Sequence, residues 1–472
     1  MTEKNSWKER QRKRQIKHQK QKGAKKKPRK WSKGKILLAI SLIALILGIF
    51  VVWQFTSVPI SQKTFTIIYI RNDGSVNPSN ASILNSNNYY YTFTDDIYGS
   101  IVIEKDNIVV DGANHILQGQ SESGSEGIDL NARNNVTITN IELKDFNYAI
   151  SLNSATNNVI SQNKVTNNNL GIELYSSSNN TVQGNTITNS DGAIGLAESP
   201  DNLITENNLK SNTYSISLTT SSSNTISENT ITNSEGAIGL SQSPDNTISG
   251  NHANNNKKCI LLDDSSGNNI SENTITNGEE AVTLSASSDN NVTKNNLTNN
   301  LYGISLTTSS GNTISGNSAK NSTNAIQLSQ SSRNNIIQNN LIGNTYSIIL
   351  TTSSGNTISE NTLTTSNYAI AISQSSNNGI SDNYVGSNQY GVYIEYSSDN
   401  WIFHNSFYVN IYQGFSIESS NTWDNGYTSG GNYWSDYQDL NPDAQELDAS
   451  GIWDTPYIID ENNLDLYPLV NG

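Results

Sequence analysis

The sequence predicts an all-β solenoid, a single-stranded parallel β-helix of 22-residue coils, preceded by one transmembrane helix. Three observations carry this. One phrase recurs with a fixed period through most of the chain, as in NTISENTITNSEGAIGLSQSPD (Asn224–Asp245), which begins again with NTISGN at Asn246. Inside each unit, apolar residues alternate only over short runs such as AIGL and NTIS. A single long apolar stretch lies near the N-terminus, between two oppositely charged parts of the chain.

In chain order, the basic part comes first. Residues 1–35 hold 16 Lys or Arg against two acids, whereas residues 36–472 hold 12 basic and 40 acidic residues. Between them runs ILLAISLIALILGIFVVW, Ile36 to Trp53, with no charge until Lys63. At ~1.5 Å rise per residue, a helix of this length reaches across the roughly 30 Å hydrocarbon core of a bilayer. Lys and Arg resist translocation, so the tail at 1–35 is expected to be cytoplasmic and the body extracellular, at the cell surface. No small-x-small cleavage site follows Trp53, which makes residues 36–54 a signal anchor rather than a removed leader. Beside a membrane, the basic tail is expected to meet anionic lipid headgroups and not nucleic acid.

The repeats occupy residues 132–420. Stepping by 22 from Ile138 gives Ile160, Val182, Ile204, Ile226 and onward to Ile402, every one Ile or Val. Further columns run from Leu143, from Ile150 to Val392, and from Leu152 to Ile394, then slip by one residue to Phe415 and Ile417. Short period-2 runs rich in β-branched residues mean short strands. Asn, Ser, Thr and Gly are poor helix formers, and no helical stripe is available. Three strands per unit, stacked on like neighbours, give a parallel β-helix with a repeat of roughly 4.8 Å. Leucine-rich repeats have similar periods, but their LxxLxLxxN spacing is absent.

Polar residues keep the same period. Asn158 to Asn400, Asn163 to Asn405 and Ser177 to Ser397 each recur coil after coil. Bends leave backbone groups unpaired, and Asn both tolerates unusual dihedrals and bonds nearby backbone. Stacked amides also bond one another along the axis, so these ladders are expected to be structural.

The ends need covers, because an open β-helix exposes sheet edges. Residues 55–131 are expected to hold a linker, an N-terminal cap and the first coils. Residues 421–472 are expected to form an aromatic cap with Trp423, Tyr433, Trp434, Tyr437 and Trp453.

DNIVVDGANHILQG (Asp106–Gly119), coils of the form NNxISxNxIxxNxxAIxL, and SSNTWDNGYTSGGNYWSDY (Ser419–Tyr437) resemble the NosD-type right-handed parallel β-helix proteins. DTPYIID (Asp454–Asp460) and YPL (Tyr467–Leu469) extend that resemblance to residues 61–472. It places the chain near the carbohydrate-binding and sugar-hydrolase β-helix class, with a pectin-lyase-like fold. It implies copper delivery to a nitrous-oxide reductase, or polysaccharide binding and cleavage. Relatives often carry an Asp/Gly-rich run before the DTPY element. Here DLNPDAQELDASGIWDTPY keeps Asp448, Gly451 and Asp454 but few glycines. If a metal binds there, Asp448 and Asp454 are its candidate ligands and Ca²⁺ the ion that oxygen suits.

The residues themselves limit the chemistry. One Cys (Cys259) and one Met (Met1) exclude a disulfide framework and a Cys-based metal cluster. Copper wants sulfur and imidazole, and beyond the span only Cys259, His115, His252 and His404 offer them, so copper is not expected and no cofactor is required. Cys259 shares a small-residue column with Ala237 and Ala281. Glycoside hydrolysis needs two nearby carboxyls; Glu206 and Glu228, on adjacent coils of one column, are the weak catalytic candidates. Sugar binding needs apolar faces with hydroxyls, which Tyr supplies. Tyr346, Tyr368, Tyr390 and Tyr412 stand on four consecutive coils and are the carbohydrate-binding candidates. The expected function is a membrane-anchored surface rod that binds glycan or envelope components without catalysis. A polysaccharide hydrolase or lyase, and a NosD-like accessory of copper-enzyme maturation, are the alternatives.

Overall fold

The computed structural model describes residues 64–472. The tail at 1–35 and the span at 36–54 lie outside the described residues. Among the described residues no helix is long and apolar enough to cross a membrane.

Each coil contributes three strands. In one coil these are Val159–Ser161, Lys164–Thr166 and Leu170–Tyr175. Like strands pair in parallel at the expected step, Ile160 with Val182, Val165 with Ile187 and Ile172 with Ile194. The first strands of the coils, with a hairpin at the N-terminal end, form a sheet of 16 strands. In the three-residue strands only the middle side chain points inward. Ile160, Val182, Val165 and Ile187 are accordingly fully buried. Each such side chain, taken out of water, contributes ~1.5–3 kcal/mol.

The six-residue strands of the third sheet bury two large side chains and one small one. Their second position holds Ala149, Gly171, Ala193, Ala237, Cys259 and Ala281. A Cβ on Gly171 would come 2.5 Å from the carbonyl oxygen of Ala193, which is why that member of the column is glycine. Cys259 is a packed member of it, buried, with its thiol pushed up to about 12 by burial.

The asparagine ladders form as the sequence implies. Asn163 donates its backbone N–H to Oδ1 of Asn185 at 2.9 Å, and its Nδ2 to the carbonyl of Ile138 at 3.1 Å and to Oδ1 of Asn185 at 3.0 Å. The residue before each of these Asn, such as Glu206 (φ 57°) or Glu228 (φ 56°), takes the left-handed conformation that turns the chain. The ladder therefore satisfies backbone groups that a sharp corner would strand.

At the N-terminal end an antiparallel pair, Ile83–Ser86 with Tyr90–Phe93, closes the rod, and Tyr90–Phe93 then starts the parallel stack on Ile108–Asp111. At the other end the expected slip of register does not occur. Tyr393 pairs with Phe415 and Val392 with Gly414, so Phe415 faces outward and stacks on Tyr393 at 5.5 Å. The inward position is left to Gly414. A Cβ there would be 3.3 Å from both Trp423 and Ile459, the side chains that fill the space instead.

The cap packs Trp423, Trp434, Tyr437 and Tyr457 over the last coils, with Trp434 against Phe407 at 4.5 Å and Tyr457 at 4.1 Å. It also finishes the ladders. Asn400 passes its N–H to Asn421 and Asn421 to Asn463, while Asn405 passes to Asn432 and Asn432 to the carboxylate of Asp465. Asp465 also accepts from Nε1 of Trp434 at 2.9 Å and the N–H of Tyr467 at 3.1 Å. Its burial nevertheless pushes it up to about 7.

Candidate functional site

The long strands make the third sheet the broadest face of the rod. Positions one, four and six of each strand lie toward solvent and positions two, three and five are buried, because strict alternation breaks at the second residue, which the register skips. At position one stand Leu170, Gly192, Tyr214, Gly236, Lys258 and Glu280, in consecutive coils. Position four carries Glu173, Gly195, Ser217, Gly239 and Leu261.

Two coils thus carry glycine at both position one and position four, and Tyr214 lies on the coil between them. The result is a depression on either side of that ring. The N-terminal one encloses about 580 Å³ and is lined by Leu170, Glu173, Asp191, Gly195, Tyr214 and Ser217 among others. The C-terminal one, about 470 Å³, includes Tyr214, Glu235, Gly239, Lys257, Lys258 and Asp263. Both fall in the range of small-molecule sites, ~300–1,000 Å³. With glycines as its column neighbours, Tyr214 has no aromatic partner and is 60% exposed. The ring leans over Gly236, where a Cβ would meet it at 2.9 Å. At Gly239 a Cβ would meet nothing within 4 Å, so the floor there is open.

Glu173 is the unusual ionisable group of this face. Its carboxyl lies over Gly195, where a Cβ would come 2.1 Å from Oε2. Burial alone pushes it up to about 7. Among the described residues no hydrogen-bond or ion-pair partner faces that carboxyl. In the other depression both lysines are paired, Lys257 with Glu235 at 3.5 Å and Lys258 with Glu280 at 3.9 Å.

The tyrosines at the C-terminal end of the same face behave differently. Tyr346, Tyr368, Tyr390 and Tyr412 form one continuous stack, with centroids 4.7, 4.8 and 4.9 Å apart and planes within 17°. Tyr368 and Tyr390 spend both faces on neighbouring rings, while Tyr346 and Tyr412 end the stack with one face each outside it. Glu206 and Glu228 stand on the exposed corner between the first and second sheets, remote from either depression, and Glu206 accepts from Nε2 of Gln183 at 3.0 Å. Asp448 accepts from the Tyr427 hydroxyl at 3.2 Å, and Asp454 from the Gln445 N–H at 3.0 Å.

Sequence reasoning looked for residues able to do chemistry and so passed over the depressions, which exist because side chains are missing. The available signal was GAIGLA (Gly192–Ala197) and GAIGLS (Gly236–Ser241), which put glycine at positions one and four on either side of Tyr214.

The family model described as "Periplasmic copper-binding protein (NosD)" matches residues 186–301 and 265–439. A second, "Right handed beta helix region", matches residues 66–231. No curated protein matches the chain. Similar solved structures include a Family 28 exopolygalacturonase of Yersinia enterocolitica, 11% identical, TM-score 0.44, covering 67% of this chain and 79% of that one. The periplasmic alginate epimerase AlgG is 16% identical, TM-score 0.40, with 71% of this chain and 77% of that one covered.

Among the described residues, the sulfur and imidazole donors that copper favours are few and dispersed. Cys259 is buried with a protonated thiol. Nε2 of His404 is engaged by the carbonyl of Ser429 at 2.9 Å, and His252 stands seven coils away. Among the described residues, the group bringing three donor atoms within 4.8 Å of one another is Asp95, Asp96 and His115. That set has one imidazole, no sulfur, and lies outside the span the NosD model matches. Copper favours softer, imidazole-rich sets.

Proposed function

This chain belongs to the NosD family of right-handed β-helix proteins, and from that premise we propose that it is a membrane-anchored extracellular rod that binds carbohydrate on the outer face of its third sheet, without cleaving it. The observation that carries the reading is Tyr214, an exposed ring between two glycine-floored depressions. A pyranose offers one face of C–H groups and a rim of hydroxyls. Tyr214 and Leu261 supply apolar surface for the first, while Ser217, Ser241, Asp263 and Glu173 supply partners for the second. The open floor at Gly239 lets a flat ring approach the backbone. The adjacent acids Glu206 and Glu228 occupy an exposed corner outside both depressions, which favours binding over cleavage by that pair.

Anchoring by residues 36–54 belongs to the same proposal and is supported by the apolar run and the basic block before it. It would present the rod to glycans of the envelope or of neighbouring cells. The test is a panel of envelope and plant polysaccharides offered to the wild-type chain, Tyr214→Ala, and Tyr368→Ala/Tyr390→Ala. Binding that disappears with Tyr214 and survives loss of the stacked pair is the expected result. Absence of binding to every member of the panel would sink the reading.

A further inference from the structure

We propose that the depression on the N-terminal side of Tyr214 takes a sugar carrying a primary ammonium group, with the nitrogen seated between the Glu173 carboxylate and the Tyr214 ring. This rests on the reading that the face binds carbohydrate, and it adds the ligand's chemical class.

Three observations lead to it. The first is the unequal charge of the two depressions. The C-terminal one has two lysines beside its two acids. The N-terminal one has Glu173 and Asp191 and, among its lining residues, no Lys, Arg or His. The second is that Glu173 is left without a partner. Taking a carboxylate out of water is costly unless a charge or several donors compensate it, yet among the described residues nothing does so. A ligand cation would supply what is missing, with up to three N–H donors. The third is Tyr214, whose exposed ring borders the same depression. An ammonium over an aromatic face gains a cation–π attraction that a hydroxyl does not.

Gly195 makes the geometry workable. With no Cβ there, the carboxyl can lie down over the strand, beside the Leu170 side chain that covers Gly192, and a sugar can reach it from above. A neutral sugar could also donate hydroxyls to Glu173, so the amine must be separated from the ring that bears it. Glucosamine oligosaccharides and their N-acetylated counterparts do this, because acetylation removes the charge and leaves the pyranose intact.

The experiment is calorimetric titration of the full-length chain with both oligosaccharides at neutral pH, repeated with Glu173→Gln, Tyr214→Ala and Glu272→Gln. Glu272 is an exposed acid on the corner between the first and second sheets, so its variant reports attraction to the acidic rod in general. A hydrogen bond to a charged group exceeds a neutral one by enough to give roughly tenfold tighter binding of the amine form. That preference should vanish in Glu173→Gln, persist in Glu272→Gln, and accompany weaker binding of both sugars in Tyr214→Ala. Equal affinity for the two sugars, with binding still dependent on Tyr214, would overturn the ammonium assignment and leave carbohydrate binding standing. A preference that survives Glu173→Gln, or falls equally in Glu272→Gln, would overturn it as well. If neither sugar binds, the assignment is again wrong, and the wider polysaccharide panel then decides the parent reading separately.

Discussion

The backbone N–H of Asn421 donates to Oδ1 of Asn463, 42 residues further along the chain, at 2.9 Å. The C-terminal segment thus supplies the next rung of a ladder whose own coils have ended. Nε1 of Trp423 uses the same oxygen at 3.2 Å, and Nδ2 of Asn463 reaches the carbonyl of Ser419 at 2.9 Å. Asn463→Ala leaves two buried donors without an acceptor, each worth ~1–3 kcal/mol. We expect a loss of roughly 2–4 kcal/mol in urea unfolding. Hydrogen exchange should accelerate in the last coils and stay unchanged near Ile138, because coils of a solenoid feel only their neighbours.

An interior rung allows a cleaner comparison. Oδ1 of Asn273 accepts the N–H of Asn251 at 3.0 Å, and Nδ2 of Asn273 serves the carbonyl of Ile248 at 2.9 Å. Asn273→Ala strands both groups in the core and should cost roughly 2–4 kcal/mol. Glu272→Gln, one residue earlier, changes only an exposed corner and should stay within about 0.5 kcal/mol of wild type. Equal effects in thermal melts would contradict the assignment of the ladder as the structural element.

These ladders were legible because every coil repeats them, and a period is visible without coordinates. Asn463 and Asp465 were not, since they end the ladders at separations unrelated to the 22-residue step. The same limit misplaced Phe415: its apolar side chain suggested an inward position, but the sheet held its register and Trp423 filled the gap. A ring's neighbours are also invisible in composition. Tyr214 and Tyr368 occupy the same column, yet one is flanked by glycines and the other by tyrosines. That difference decides which ring has a face to offer.

Two glycine substitutions should therefore act in opposite ways. Gly239→Leu adds a side chain where a Cβ meets nothing within 4 Å. Stability should hold or rise by up to about 1 kcal/mol, since glycine is a poor strand residue, while carbohydrate affinity falls at least tenfold as the depression fills. Gly431→Ala places a Cβ 1.8 Å from Oδ1 of Asp465 and must push the cap apart. Its melting temperature should drop by several degrees. Ligand titration and melting curves of the two variants separate the binding face from the structural one.

Glu173 makes stability depend on pH with a definite sign. Burial raises its folded-state value to about 7 from an ordinary 4.5. Between those values the folded chain holds a proton that the unfolded chain has released. Stability is therefore fully present below about 4.5 and is lost as pH rises through about 7, then levels off. The upper bound on this one group's effect is roughly 3 kcal/mol. Glu173→Gln cannot ionise, so the difference between wild type and variant isolates the group from all others that titrate. Urea midpoints measured from pH 4 to 8 should diverge with the variant the more stable at the alkaline end. Curves that stay parallel would mean the carboxyl has found a partner in solution, and the depression beside Tyr214 would then lack the unpaired charge that a ligand is needed to meet.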